Sequence, residues 1–141
     1  MKRDSRLSAV LHALLHMNEH GAPMTSEALA QCLGTNPVVV RRTMGLLREA
    51  GLVAAERGHS GGWRIVADPS SVSLRQVQGR LGGAALFAIG NRNEHPQCRV
   101  EQAVNAALDD AFEQAESLLL QKFESISLAD LAAGFARRRK C

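Results

Sequence analysis

Residues 24–66 read MTSEALAQCLGTNPVVVRRTMGLLREAGLVAAERGHSGGWRIV, and this stretch decides the fold. Thr25 is placed as an N-cap for the amides that follow it, and Leu29, Ala30 and Leu33 recur on one side of a short helix that Gly34 stops. Asn36-Pro37 then restarts a helix, because Asn caps well and Pro at the first helical position forfeits no needed hydrogen bond. Val40, Met44 and Leu47 line the inner side of this helix, Arg41, Arg42 and Arg48 project elsewhere, and Gly51 suits a left-handed C-cap after Ala50. Two helices joined by a tight Gly-containing turn make a helix-turn-helix. The runs 52–56 and 63–66 are strand-like and flank Arg57-Gly58-His59-Ser60-Gly61-Gly62, which predicts a β-hairpin. The expected fold class is therefore mainly α: a winged helix-turn-helix with a two-stranded wing.

Outward from this stretch the pattern stays helical. Leu7, Val10, Leu11, Leu14 and Met17 mark one face of a first helix from Arg6 to Glu19, ended by Gly21 and Pro23. After the wing, Asp68-Pro69 breaks the chain, and Ser73 with Gln76 forms a capping box for a helix through about Leu81, closed by Gly82-Gly83. Residues 84–97, with Gly90, Pro96 and the polar run Asn91-Arg92-Asn93, read as a linker. The longest periodic stretch follows, running for roughly 26 residues or 40 Å from about Cys98. Ser127 and Asp130 cap a last helix bearing Leu128, Leu131 and Phe135, before the basic run at 137–140, which reads as a solvated end. The expected organisation is a winged-helix domain at 1–83, a linker at 84–97, and a dimerisation helix with a C-terminal helix at 98–141.

Composition bounds the function. The chain has 141 residues, 45% of them hydrophobic, enough for one core. No run approaches the roughly 18 apolar residues of a membrane span, and the amino terminus carries no cleavage pattern, so a cytoplasmic protein without membrane contact is expected. Three cysteines, Cys32, Cys98 and Cys141, are too few and too scattered for a disulfide framework or a paired CxxC zinc site. A net charge of +3 permits a polyanionic partner without requiring one. Aromatics amount to 4% with no Tyr, which disfavours a surface that stacks unpaired bases and leaves double-stranded DNA as the favoured nucleic acid. No G-x-S-x-G, H-E-x-x-H or phosphate-binding glycine loop is present, so no enzyme is expected.

The positive charge falls where a winged helix meets a duplex. Thr35, Asn36, Pro37, Val38, Arg41 and Arg42 occupy the start and outer side of the candidate reading helix. There, Arg can bind guanine bidentately and a valine methyl can meet a thymine methyl. Arg57, His59, Ser60, Gly61 and Arg64 surround the wing tip, and Thr25 and Ser26 sit at a helix start suited to phosphate. On the long helix, Val100, Val104, Ala107, Leu108, Ala111, Phe112, Ala115 and Leu119 cover more of the circumference than one small domain can bury, which implies a second copy. The competing reading is a winged-helix interaction module that does not bind DNA specifically.

Residues 24–66, together with Ser73-Leu74-Arg75-Gln76-Val77 after the wing and the long helix beyond, resemble the Rrf2 family of bacterial winged-helix regulators, the group of IscR, NsrR and CymR. The resemblance covers nearly the whole chain. It implies a homodimer held by the long helices, a reading helix in each major groove with the wings in the minor groove, a pseudo-palindromic operator, and repression as the usual outcome, under an effector the residues do not name. It also implies a point of departure. Cluster-binding members carry three cysteines ahead of the long helix, whereas here Cys98 stands alone with His95 three residues earlier, so no iron–sulfur cluster or other cofactor is expected. Cys98 at the start of a helix, near Arg99, reads either as an oxidisable sensor thiol or as an inert packing residue. Cys32 reads as packing and Cys141 as a tail thiol. His12, His16 and His20 recur every four residues, a spacing at which imidazoles can share a metal. With no acidic or thiol ligand placed to complete it, this ladder reads as a solvated face and no metal site is expected.

Overall fold

The computed structural model describes residues 5–58, 61–81 and 96–137. In chain order these form α1 (Arg6–His20), α2 (Ser26–Leu33), α3 (Pro37–Glu49), β1 (Val53–Glu56), β2 (Gly62–Ile65), a 3-10 turn at Pro69–Ser71, α4 (Leu74–Gly79), α5 (Arg99–Glu124) and α6 (Leu128–Arg137). The caps act where the residue types place them. Thr25 accepts from the amide of Ala28 at 3.1 Å, and Asn36 Oδ1 accepts from that of Val39 at 3.1 Å with Pro37 behind it. Ser73 and Gln76 close a full capping box, and Ser127 and Asp130 exchange the corresponding pair of bonds at the start of α6. Gly21, Gly34 and Gly51 each take positive φ just past a helix end. The Asp68–Ser70 turn was not anticipated as a 3-10 element. There the Asp68 carboxylate accepts from the Ser70 amide and hydroxyl, and both bonds hold its pKa below the usual carboxylate range.

The core is one cluster that both strands and every helix except α5 and the 3-10 turn enter or border. Val10, Ala13, Leu14 and Met17 come from α1, Leu29 and Ala30 from α2, and Val40, Met44 and Leu47 from α3. Leu52, Val53, Val72, Val77, Leu81 and Leu128 complete it. The periodicity of α1 and α3 thus translates directly into buried faces, while Leu33 is only half-buried. Antiparallel pairing sets Val53 against Ile65 and Glu56 against Gly62, so the wing is a short two-stranded ribbon.

The chain's last helix is where space departs from chain order. The sequence groups α6 with α5, but α6 packs against α1 and the 3-10 turn, and Leu128 is buried in the winged-helix core. Two backbone bonds secure the return, from Leu128 N to Val72 O and from Leu74 N to Ile126 O, both at 2.9 Å. They tie the start of α6 to the start of α4 through a bridge between Ser73 and Ser127. The helix α5, about 39 Å long at 1.5 Å per residue, leans on α4 and contributes no fully buried residue. If Leu128 anchors this return, Leu128→Ala will lower the free energy of unfolding by about 2–5 kcal/mol through cavity formation, measured by urea denaturation. A loss below that range would mean that α6 is held by its backbone bonds alone.

Candidate nucleic-acid interface

The interface is built on three backbone facts. The turn between α2 and α3 closes when Thr35 N donates to Ala30 O at 3.0 Å, leaving the Thr35 side chain exposed beside Asn36. The first turn of α3 then points outward, with Val38 60% exposed. The wing is fixed to the amino-terminal end of α2 by a reciprocal pair, Met24 N to Trp63 O at 2.9 Å and Trp63 N to Met24 O at 2.8 Å. Gly62 permits that approach. A Cβ at Gly62 would lie 2.5 Å from the Met24 carbonyl oxygen, and its φ of +147° disfavours any side chain.

Trp63, which pattern reading placed only in a strand, is the anchor of this arrangement. Its indole Nε1 donates to Ser26 Oγ at 3.0 Å, across 37 positions of sequence. Ser26 is accordingly a correction. Expected to face phosphate, it is buried, and its hydroxyl is consumed holding the wing; Thr25 beside it stays exposed. Gly61 also changes meaning. A Cβ there would sit 2.3 Å from the Glu56 carbonyl oxygen, so the glycine is demanded by the hairpin's own turn, which Gly61 N closes on Gly58 O at 3.0 Å. His59 and Ser60 lie outside the described residues.

The exposed cations are not all idle. Arg41 on α3 donates to Glu27 on α2 at 3.1 Å, and Arg64 on β2 donates to Glu56 on β1 across the strand pair. Glu27 and Glu56 were not singled out from sequence, because their partners lie on neighbouring elements. Both pairs are exposed, so each contributes little to stability. Arg57 and Arg42 are exposed as well, Arg42 beside a cleft of about 280 Å³ between α1 and α3 that Val39 and Leu46 also line. Pro37 is half-buried as the first residue of α3, and the Asn36 Oδ1 is spent on capping.

Two further groups of residues were expected to carry function. Of the apolar set on α5, Val100, Val104, Ala107, Leu108, Ala111 and Ala115 are exposed, while Phe112 and Leu119 turn partly toward their own subunit. Leu118, missed in the sequence reading, joins the exposed side at 70%. Cys98 is the N-cap of α5 and is exposed; Cys32, expected to pack, is exposed too, and Cys141 and His95 lie outside the described residues. The Cys98 sulfur makes no regular capping bond, yet the amides of Glu101 and Val100 face it and hold its thiol below the ordinary value against a slight opposing effect of burial. At a given neutral pH a lowered value means more thiolate. Iodoacetamide is therefore expected to modify Cys98 faster than Cys32, which is also exposed, with the advantage shrinking at alkaline pH, as followed by peptide mass spectrometry. Equal rates would remove the helix start as an activating element.

With the geometry in place, comparison with known proteins is specific. The family model described as Rrf2, iron-dependent transcriptional regulator, matches residues 3–134. The HTH-type transcriptional regulator YwnA of Bacillus subtilis is 34% identical over 131 residues, covering 91% of this chain and 95% of that protein. Among solved structures, T. potens IscR superposes with a TM-score of 0.73 at 19% identity over 100% of this chain and 92% of that one. CymR of B. subtilis does so with 0.69 at 19% identity over 94% and 97%. These regulators share the winged-helix fold with the long helix, and among the described residues no helix is long and apolar enough to cross a membrane. The helix-turn-helix, its tethered wing and the matching of nearly the whole chain place this protein in the Rrf2 family of transcriptional regulators, DNA-binding proteins and not enzymes.

Proposed function

We propose that the chain works as a homodimer that binds a pseudo-palindromic operator sequence-specifically and represses transcription. The observation that carries this reading is the outward side of the first two turns of α3, where Val38, Arg41 and Arg42 are exposed beside a wing held by Trp63. In this reading Val38, Arg41 and Arg42 meet base edges, with Asn36 and Pro37 shaping the helix start. Thr25, Thr35, Arg57, Arg64 and the wing tip at 59–61 meet the phosphates and the adjoining groove. Residues 1–83 with the returning α6 act as the DNA-binding unit, and α5 supplies the dimer contact. The exposed apolar side of α5 supports a partner, since so much apolar surface on a long helix is costly to leave in water. Two reading helices related by a two-fold axis would then sit about one helical turn of DNA, roughly 34 Å, apart.

The iron of the family's description does not fit this chain's donors. Iron–sulfur ligation needs several converging thiolates, and the chain has three cysteines in all, of which Cys98 alone lies ahead of α5 and Cys32 lies on α2. In this reading the signal that shifts DNA affinity does not pass through a cluster, and the Cys98 thiol is the redox candidate.

Gel shifts with the promoter region of the protein's own gene test the DNA reading. Binding is expected to weaken by orders of magnitude between about 50 and 200 mM salt, as for any protein neutralising several phosphates, and Arg41→Ala is expected to cost roughly 1–3 kcal/mol. If neither binding nor an Arg41 effect appears at low salt, the interaction-module reading is favoured. Separately, sedimentation is expected to give about twice the chain mass of 15.2 kDa for the wild type and the single-chain mass for Leu108→Glu. A monomeric wild type would overturn the dimer.

A further inference from the structure

Helix α1 turns His12, His16 and His20 away from the core that its other face enters through Val10, Ala13, Leu14 and Met17. Spacing alone made this ladder a solvated face. The structure adds a geometry that spacing does not supply. The Nε2 atoms of His12 and His16 approach to 2.9 Å, with ring centroids 4.6 Å apart and planes at 44°. Both rings are exposed, and a hydrogen bond in which one exposed imidazole donates to another gains little over water. Two exposed ring nitrogens this close on one helix face can, once neither carries the shared proton, both turn their lone pairs to one cation.

Imidazole nitrogens bind transition metals at about 2.0–2.1 Å, so two of them on one ion lie about 3–3.4 Å apart for angles from a right angle to the tetrahedral angle. The 2.9 Å approach of His12 and His16 is close to that span, so a small turn of either exposed side chain brings both nitrogens onto one ion. We propose that His12 and His16 form a bidentate site for a divalent transition metal of the kind imidazole ligates, Ni²⁺, Cu²⁺ or Zn²⁺, with water completing the coordination. Water is needed because, among the described residues, no group of three or more His, Cys, Asp or Glu is gathered for a metal. The site is preorganised, since the buried face of α1 holds the backbone that spaces the rings. It is independent of the DNA-binding reading.

Calorimetric titration of the reduced full-length protein with Ni²⁺, and separately with Zn²⁺, tests the site. The comparison is between wild type and His12→Ala, His16→Ala and His20→Ala, with circular dichroism to verify that each variant folds. Any binding by thiols is common to all four proteins, so the informative quantity is the component that His12→Ala removes. In the wild type that component is expected at one Ni²⁺ per chain, weakened about tenfold or more in both His12→Ala and His16→Ala and within about twofold of wild type in His20→Ala. Thermal unfolding is expected to shift upward with Ni²⁺ in wild type and His20→Ala, because the folded helix presents the pair and the unfolded chain does not. Equal Ni²⁺ affinity in wild type and His12→Ala would overturn the site.

Discussion

The reciprocal backbone pair between Met24 and Trp63 is the contact on which the proposed DNA-facing surface depends. A two-stranded ribbon has too little apolar area to hold a position by itself. Here its root is made, in effect, into a third strand position against the residue that precedes α2, and the indole reaches on to the buried Ser26 hydroxyl. The requirement for glycine at position 62 follows from the same contact, since any Cβ would enter the Met24 carbonyl. The wing and the start of α2 are thereby one rigid piece, and α3 is oriented against that piece through Leu29, Val40 and Leu47 in the shared core.

Electrostatics on this surface is arranged for exchange rather than for stability. Arg41 and Arg64 each rest on a glutamate, Glu27 and Glu56, in exposed pairs that cost little to open. A phosphate or a guanine edge offers the guanidinium a bidentate partner in place of a single carboxylate oxygen. In the proposed interface, the carboxylates would hold these side chains in place without DNA and oppose contacts that do not replace the lost bond. Arg42 and Arg57, also exposed, add positive charge on α3 and at the wing.

The two ends of the chain's second half do different jobs. The buried Leu128 and the Ser73–Ser127 bridge draw α6 back onto α1 and α4, so the winged-helix core is completed by residues that come after the long helix. That leaves α5 leaning on α4 and tied at its end to the returning α6, with Phe112 and Leu119 half-buried and Val100, Val104, Leu108 and Leu118 exposed.

What the sequence determined by itself was everything encoded within one helical turn or one strand period. The caps at Thr25, Asn36, Ser73 and Ser127, the stops at Gly21, Gly34 and Gly51, the buried faces of α1 and α3, and the bounds of α5 all rest on residues three or four positions apart, where backbone geometry leaves few alternatives. The resemblance carried by residues 24–66 extended that reading to the DNA-facing surface. Tertiary structure decided what joins distant segments. It spent Ser26 on Trp63, gave Gly61 to the hairpin's own turn and Gly62 to the contact with Met24, paired Arg41 with Glu27, returned α6 to the first domain, and left Cys32 exposed. None of these has a local signature, because a buried hydroxyl and an exposed one are the same residue until the segment packed over it is known.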